Sequence, residues 1–279
     1  MNPRFTLCAF SDEAGAELSV QIRALKENGI GYMEARGING KSISDMTPSE
    51  ARELKNTLER ENLAIWSIGS PLGKISITDP FAPHMEVFCR TLDTAVITGA
   101  HCIRLFSFYI PSGKAPATYR DEVMDRLQRF CEKARGSGIV LCHENEKGIY
   151  GDNAERCSDI HREISELKAI FDPANYVQCG QEIISAWNLL APYVFYMHIK
   201  DSLRDGKVVP PGYGEGQLPY LLEQFSAQGG GILTIEPHLS VFDGLKQLEH
   251  GETSIVDPYA YPSQREAFDA AVTALKVLI

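Results

Sequence analysis

The chain has 279 residues, of which 44% are hydrophobic and 23% charged, a balance typical of a globular protein rather than of a disordered or membrane-embedded one. Its formal net charge of −10 disfavours a nucleic-acid partner, because phosphate binding relies on clustered lysine and arginine. The seven cysteines are odd in number and form no CxxC pair, and the first apolar stretch is too short for a signal peptide. We therefore expect a cytoplasmic protein with reduced thiols and no membrane partner.

Apolar runs and amphipathic stretches alternate along the chain, which predicts strands that are each followed by a helix. The predicted strands span 5–10, 32–36, 64–68, 102–106, 140–143, 169–171, 194–198 and 232–235. The predicted helices span 18–28, 48–62, 85–98, 121–136, 154–167, 183–190, 219–228 and 264–277. Thr47, Pro48 and Glu50 form a capping-box sequence that marks the start of the second helix.

Eight strand-then-helix units favour a (β/α)₈ TIM barrel, an α/β fold, in a single domain over residues 1–279. The runner-up is an open, doubly wound parallel sheet. That fold usually carries a phosphate-binding GxGxxG or GxxxxGK[ST] motif after its first strand, and the sequence has neither there.

Four successive apolar runs end in a residue that can bind a hard divalent cation. These residues are Glu144, Asp172, His198 and Glu236. A single acid in such a place is more often a helix N-cap. Because the carboxyl ends of barrel strands meet at one face, the recurrence in four units instead favours one metal site.

Side chains alternate across a strand, so residues two apart share a face. If the four candidate ligands point into the barrel mouth, one set of neighbours lines the interior below them: Cys142, Tyr196 and Thr234. The residues between them then face the helices: His143, Met197 and Ile235.

Polar residues at the ends of the early strands are candidates for substrate binding. Glu34 and Arg36 end the second strand, and Arg104 lies near the end of the fourth. For both arginines the alternative is an ion pair at the barrel rim. Trp66, in the third strand, is expected either in the core or in the wall of the substrate pocket.

Three further candidates follow the late strands. Lys200 shares parity with His198 and is either a substrate-binding group or a solvated loop lysine. His238 shares parity with Glu236, and it contacts substrate, orients Glu236, or is only a loop residue. Glu146, above Glu144, meets either the substrate or the loop.

Two connections are longer than a barrel needs, at 201–217 and 239–262. Long loops on a compact scaffold are usually functional or disordered, and both follow proposed ligand strands, so we expect them to be lids. The segment GSPLGK (69–74) also follows a strand. Its glycines allow close approach of a ligand, or form only a turn.

Sequence motifs at the strand ends resemble those of the xylose isomerase-like superfamily of (β/α)₈ barrels, the sugar phosphate isomerase/epimerase group. The motifs are DEAG, MEARG, IRLFSFY, HENEKGIYGD, FDPAN, HIKD, GEG and LTIEPH, and they cover nearly the whole chain. The resemblance implies that Glu144, Asp172, His198 and Glu236 bind a metal. It also implies that Glu144 and Glu236 form an acid/base pair.

We therefore expect a metal-dependent isomerase or epimerase that acts on a keto-sugar, cyclitol or sugar phosphate through an enediolate. The expected cofactor is one divalent ion, Mn²⁺ first, with Mg²⁺, Co²⁺ and Zn²⁺ as rivals. The expected partner is a small sugar or cyclitol, and a homo-oligomer is compatible with the sequence. Two alternatives stay open: an inosose-type dehydratase using the same site, and a catalytically silent sugar-binding barrel.

Overall fold

The computed structural model describes residues 4–240 and 260–279. The strands that form the barrel are β1 (Phe5–Ala9), β2 (Tyr32–Ala35), β3 (Ala64–Ile68), β4 (Cys102–Leu105), β5 (Val140–Glu144), β6 (Lys168–Phe171), β7 (Val194–Ile199) and β8 (Gly231–Ile235). The helices are α1 (Leu18–Glu27), α2 (Pro48–Arg60), α3 (Phe81–Thr98), α4 (Arg120–Ala134), α5 (Ala154–Glu163), α6 (Pro173–Gln178), α7 (Ile183–Leu190), α8 (Leu218–Ala227) and α9 (Gln264–Leu278).

The eight strands form a closed barrel in the order β1-β8-β7-β6-β5-β4-β3-β2, and all neighbours are parallel. Phe5 pairs with Gly231, so the first and last strands close the sheet. This closure confirms the predicted (β/α)₈ barrel and excludes the open sheet. All eight carboxyl ends therefore meet at one mouth.

Most predicted boundaries lie within a few residues of the observed ones. The capping box of α2 is present, with Thr47 and Glu50 bonded to each other's backbone amides. Helix α3 ends at Gly99, whose φ of 75° suits a residue without a side chain. It begins four residues before the predicted position, and α5 ends four residues before its predicted end. Helix α6 was not predicted at all.

The core has two layers, as the parity argument requires. Inside the barrel a small cluster contains Cys142 and Tyr196, and Thr234 is also buried. Between barrel and helices a larger cluster contains Met197 and Ile235. The imidazole of His143 also points outward, since it contacts Ser107 and the ring of His161 on α5. The predicted alternation is confirmed in these strands.

The two long connections follow β7 and β8. The 201–217 loop is tightly held: Asp201–Ser202 pairs with Val208–Val209, and the Asp201 carboxylate accepts backbone N–H groups from the glycine-rich end. Most of the 239–262 connection lies outside the described residues, so its proposed role as a lid stays a prediction. Among the described residues, no helix combines the length and apolar character that a membrane crossing requires.

Candidate metal centre

Four side chains predicted as metal ligands meet at the mouth of the barrel. Glu144, Asp172, His198 and Glu236 each offer one ligand atom, and these atoms lie within 4.8 Å of one another. All four residues are buried. Metal–ligand bonds are about 2.0 to 2.6 Å long, so one ion can reach all four atoms with only small side-chain movements.

Each candidate ligand is positioned by the end of a strand. Glu144 is the last residue of β5, His198 lies in β7, and Glu236 directly follows β8. Asp172 follows β6 and is also the N-cap of α6, where its Oδ1 accepts the backbone N–H of Asn175 at 2.9 Å. Asp172 is thus a helix N-cap through one oxygen, while its other oxygen faces the cluster.

The imidazole of His198 is oriented by a carboxylate below it. Its Nε2 lies 3.3 Å from Glu34 Oε2, and a carboxylate accepts, so this nitrogen carries the hydrogen. Tyr196 and Ser67 donate to Glu34 Oε1 at 2.8 and 3.1 Å, which fixes the carboxylate in turn. Nδ1 of His198 consequently faces the cluster, 3.2 Å from Glu144 Oε1 and 3.3 Å from Glu236 Oε2.

Two buried cations contact the ligand carboxylates directly. Lys200 Nζ lies 2.9 Å from Asp172 Oδ2 and 3.3 Å from Glu236 Oε2. Arg104 donates to Glu144 Oε2 at 3.0 Å and lies 3.7 Å from Glu236 Oε1. Lys200 is only 3% exposed, so the solvated-loop alternative for this lysine is wrong.

Arg36 forms the ion pair at the barrel rim that was the alternative to substrate binding. Its guanidinium donates to both oxygens of Asp12 at 2.9 and 3.0 Å, and to Glu13 at 3.0 Å. It also reaches Glu236 Oε1 at 3.4 Å. The ring of Phe10 lies under this guanidinium, 4.4 Å from its carbon, and gives the site an apolar wall.

Burial and mutual charge shift the pKa values of the cluster. Burial lowers the pKa of His198, but the neighbouring carboxylates, Glu144 first, outweigh it and hold the pKa well above its ordinary value. Burial raises the pKa of Asp172 to about 6, although Lys200 opposes this. Burial also lowers the pKa of Lys200, but Asp172 and Glu236 more than reverse it. Lys200 is therefore a fixed cation and not a neutral base.

Two observations indicate that the cluster fits a divalent cation. In the part of the chain that the structure describes, Nδ1 of His198 is buried and makes no hydrogen bond, although its other nitrogen does. With His198 neutral, as a metal ligand must be, the central acids also exceed the central bases by two charges. The acids are Glu34, Glu144, Asp172 and Glu236, and the bases are Arg104 and Lys200. Oxygen and imidazole donors with this charge deficit suit Mn²⁺, Mg²⁺, Co²⁺ or Zn²⁺.

A second group of possible ligands shares Glu236. Glu13, Glu236 and His238 have atoms within 4.8 Å of one another, and burial raises the pKa of Glu13 to about 8. His238 has a φ of 47°, and its backbone N–H donates to Glu13 at 2.6 Å, which holds this uncommon conformation. The Arg36 guanidinium already supplies positive charge to both glutamates. His238 therefore lies where it can orient Glu236, 3.4 Å away.

A further set of charges lies above the cluster. Lys74, at the end of the 69–74 segment, donates to Glu146 at 2.9 Å. Lys147 lies 3.8 Å from the same carboxylate and donates to Gln178. Burial raises the pKa of Glu146, but Lys74, Lys147 and Lys200 outweigh it and lower the pKa to about 2. Glu146 is thus an anion held among three lysines.

Trp66 is not brought to this cluster. Its ring packs against Tyr32, His101 and Phe195, which lie at or just before the amino ends of their strands. Tyr196 lies between this layer and His198, since its ring contacts both Trp66 and His198. The structure thus places Trp66 in the core of the barrel, and we do not retain it among the proposed substrate-binding residues.

The sequence interpretation also missed residues that complete the site. Asp12 and Glu13 follow β1 just as the candidate ligands follow their strands, so the same rule applied to the first unit finds them. Asn175 donates to Glu144 at 3.3 Å from the first turn of α6. The FDPAN motif contains Asn175, but no role was assigned to it because the helix was not predicted. Ser67 was missed because nothing in the sequence of β3 indicates that its hydroxyl contacts Glu34.

Residues 22–253 match the model of a protein family described as the xylose isomerase-like TIM barrel. The chain belongs to this family. The match covers most of the chain and agrees with the closed barrel and with the motifs at its strand ends. A search of curated proteins finds no match.

Solved structures of the same fold include enzymes with different reactions. One is the probable 3-DHS dehydratase AsbF from Bacillus anthracis, at 18% identity and TM-score 0.70, with 98% of both chains covered. Another is D-psicose 3-epimerase from Clostridium cellulolyticum H10 with D-tagatose, at 14% identity and TM-score 0.74, again covering 98% of both. A third is the IOLI protein with a bound zinc atom, at 15% identity and TM-score 0.73, covering 98% of this chain and 97% of that one. At such identities the likeness shows the fold alone.

Proposed function

We propose that this protein is a metal-dependent isomerase or epimerase that moves a proton on the carbon next to the carbonyl of a keto-sugar or cyclitol. The observation that carries the proposal is the placement of Glu144 and Glu236. They extend from β5 and β8, which are separated in the barrel by two strands, and both lie within 3.3 Å of His198 Nδ1. Two carboxylates that approach the same point from different strands can remove a proton from a substrate bound there and return it.

The other residues bind and orient the substrate in this proposal. Lys200 and Arg104 are cations that contact the catalytic carboxylates and can donate to the carbonyl or hydroxyl oxygens. Arg36 and His238 hold Glu236 from the other side. Glu34, a substrate-binding candidate from the sequence, is assigned a positioning role instead, because it accepts from the ring of His198.

The proposed cofactor is one divalent ion held by Glu144, Asp172, His198 and Glu236. When bound, it acts as a Lewis acid that makes the neighbouring carbon acidic. Mn²⁺ is our first choice because the donor set combines hard oxygens with one nitrogen. The zinc atom in the IOLI structure supports Zn²⁺ as a rival.

A second candidate function is a dehydratase that uses the same proton removal and then expels a β-hydroxyl group. The similarity to AsbF, described as a probable 3-DHS dehydratase, favours it. The third possibility is a barrel that binds a sugar without turnover. A cytoplasmic location and a homo-oligomer stay predictions.

Deuterium exchange separates these functions. The metal-loaded protein is incubated in D₂O with D-psicose, D-tagatose, an inosose and 3-dehydroshikimate, and products are followed by mass spectrometry and NMR. With an isomerase or epimerase, the sugar gains deuterium and loses no water. With a dehydratase, the product is lighter than the substrate by one water. Binding without exchange or loss of water in any of these compounds would contradict both enzymatic functions.

A further inference from the structure

We propose that the part of the substrate recognised beside the metal centre is uncharged, so that the protein acts on a neutral polyhydroxylated ketone and not on its phosphate ester or on a keto acid. This inference rests on the proposed function, because it names the substrate class of the same site. Its support comes from the partners of the positive side chains at the mouth and from the glycine-rich loop after β7.

In the part of the chain that the structure describes, the five lysine and arginine side chains identified around the cluster each lie within 4.0 Å of a carboxylate oxygen. The pairs are Arg36 with Asp12, Arg104 with Glu144, Lys200 with Asp172, Lys74 with Glu146, and Lys147 with Glu146. Among the described residues, each of these cations therefore already lies beside a carboxylate of the protein itself, and Lys74 and Lys147 share Glu146.

A divalent ion does not change this balance in favour of an anion. With His198 neutral, the four central carboxylates, Glu34 included, exceed Arg104 and Lys200 by two charges, which is the charge of the ion. A phosphate ester brings about −1.5 to −2 charges at neutral pH. To bind in the upper part of the mouth, it would have to compete with Glu146 for Lys74 and lie beside that largely buried carboxylate, which is unfavourable.

The loop after β7 is a usual position for phosphate binding in this fold. In this chain, backbone amides of that loop already donate hydrogen bonds to a carboxylate of the protein. Asp201 accepts N–H groups from Gly212, Gly214 and Gly216, each at 2.9 Å, and from Ser202 at 3.0 Å. A set of converging amides is a typical anion site, and in this chain the anion is its own carboxylate.

The other glycine-containing segment at the mouth does not offer a cradle either. In 69–74, a side chain at Gly69 would collide with the ring of Phe10, and one at Gly73 with the backbone oxygen of Phe106. These glycines allow the segment to pack against the protein. Of the two interpretations of GSPLGK, close approach to a ligand and a turn, the structure favours the turn.

Neutral hydroxyl groups match what the mouth does provide. A hydroxyl both donates and accepts, and a carboxylate beside an ammonium group offers one acceptor and one donor. Two such pairs are present at the mouth: Lys200 with Asp172 and Lys74 with Glu146. Neighbouring hydroxyls of a ketose or cyclitol can bridge them without any loss of ion pairing.

Matched ligands test the inference directly. Calorimetry on the metal-loaded full chain compares D-tagatose with D-tagatose 6-phosphate, and D-fructose with D-fructose 6-phosphate. We expect the neutral member of each pair to bind at least about tenfold more tightly, which corresponds to about 1.4 kcal/mol. In Glu146→Gln, Lys74 loses its charged partner, so the preference should fall by about tenfold. Glu166→Gln removes the same charge at an exposed site beside Arg135 and should keep the wild-type preference.

Tighter binding of either phosphate to the wild-type protein would overturn the inference, as would a preference that is the same in Glu146→Gln and wild type. Deuterium exchange on the same samples separates this result from the proposed function. Exchange with the phosphates alone overturns the neutral-substrate inference and leaves proton transfer intact. Tight binding of the neutral ketoses without exchange leaves the neutral-substrate inference intact and overturns proton transfer.

Discussion

Glu34 is the residue that decides how the proposed metal-binding imidazole points. It accepts from His198 Nε2, and it is itself fixed by Tyr196 and Ser67. Outer partners of this kind typically contribute about 10- to 100-fold in metal affinity. We therefore expect Glu34→Gln to weaken binding of Mn²⁺ or Zn²⁺ by about that factor, as measured by competition with a chromogenic chelator.

Circular dichroism of the same variant controls for loss of fold, and Glu166→Gln controls for the removal of one negative charge. Unchanged metal affinity in folded Glu34→Gln would mean that the imidazole is positioned by packing alone. That result is compatible with the edge contact between the rings of Phe10 and His198, at 5.3 Å between centroids.

We expect the protein to lose turnover when either Glu144 or Glu236 is replaced. A positioned acid or base contributes typically about 10²- to 10⁴-fold, so Glu144→Gln and Glu236→Gln should each reduce kcat by at least about that range. Metal content is measured on the same samples, because glutamine is a weaker ligand. If both variants kept wild-type turnover and proton exchange with metal bound, transfer through these residues would have to be abandoned.

The strand-end rule shows how far single residues can be predicted. It identified the four side chains that meet at the mouth, because the last residue of an apolar run is visible in the sequence. It could not assign Glu34 below His198, since that contact joins strands far apart in the sequence. The choice between core and pocket wall for Trp66 stayed open for a similar reason, because the sequence does not reveal how deep in the barrel its ring lies.

At the scale of elements, α6 illustrates a limit of periodicity. The helix has only six residues, too few to show an amphipathic repeat, although Asp172 and Pro173 form a recognisable N-terminus. Its first turn places Asn175 against Glu144. A short helix that the pattern cannot reveal thus supplies part of the hydrogen bonding around a proposed ligand.

The loop after β7 depends on one carboxylate. Asp201→Ala removes the acceptor for the backbone amides of Ser202, Gly212, Gly214 and Gly216. Leaving buried donors unpaired costs roughly 1–3 kcal/mol, so we expect a loss of that order in the free energy of unfolding in urea. Amide exchange at 212–216 should also become faster.

Asp205→Ala in the same loop is the matched control, because Asp205 is exposed and its carboxylate accepts from the backbone N–H of Lys207. Equal amide exchange in Asp201→Ala and Asp205→Ala would show that the loop is held by other contacts. The pairing of 201–202 with 208–209 is the candidate for such contacts.

For the whole molecule, barrel closure brings widely separated acids into one buried cluster. Glu34 lies in β2 and Glu236 directly follows β8, yet a carboxylate oxygen of each lies 3.3 Å from a ring nitrogen of His198. Concentrating acids in a buried space opposes folding unless positive charge accompanies them. The lysine and arginine partners supply part of that charge, and the proposed ion supplies the rest.

Metal should therefore stabilise the whole fold. At a free concentration of 100 times Kd, an ion that binds only the folded chain adds about 2.7 kcal/mol, which corresponds to a rise in Tm of roughly 5–10 °C. Because the pKa of His198 lies well above its ordinary value, its proton must leave when metal binds. The rise in Tm should thus become smaller as pH falls and larger as pH rises. Calorimetric scans with Mn²⁺ or with a chelator measure it, and His198→Gln should show almost none. Equal Tm values with metal and chelator across the pH range would show that the cluster does not bind the ion.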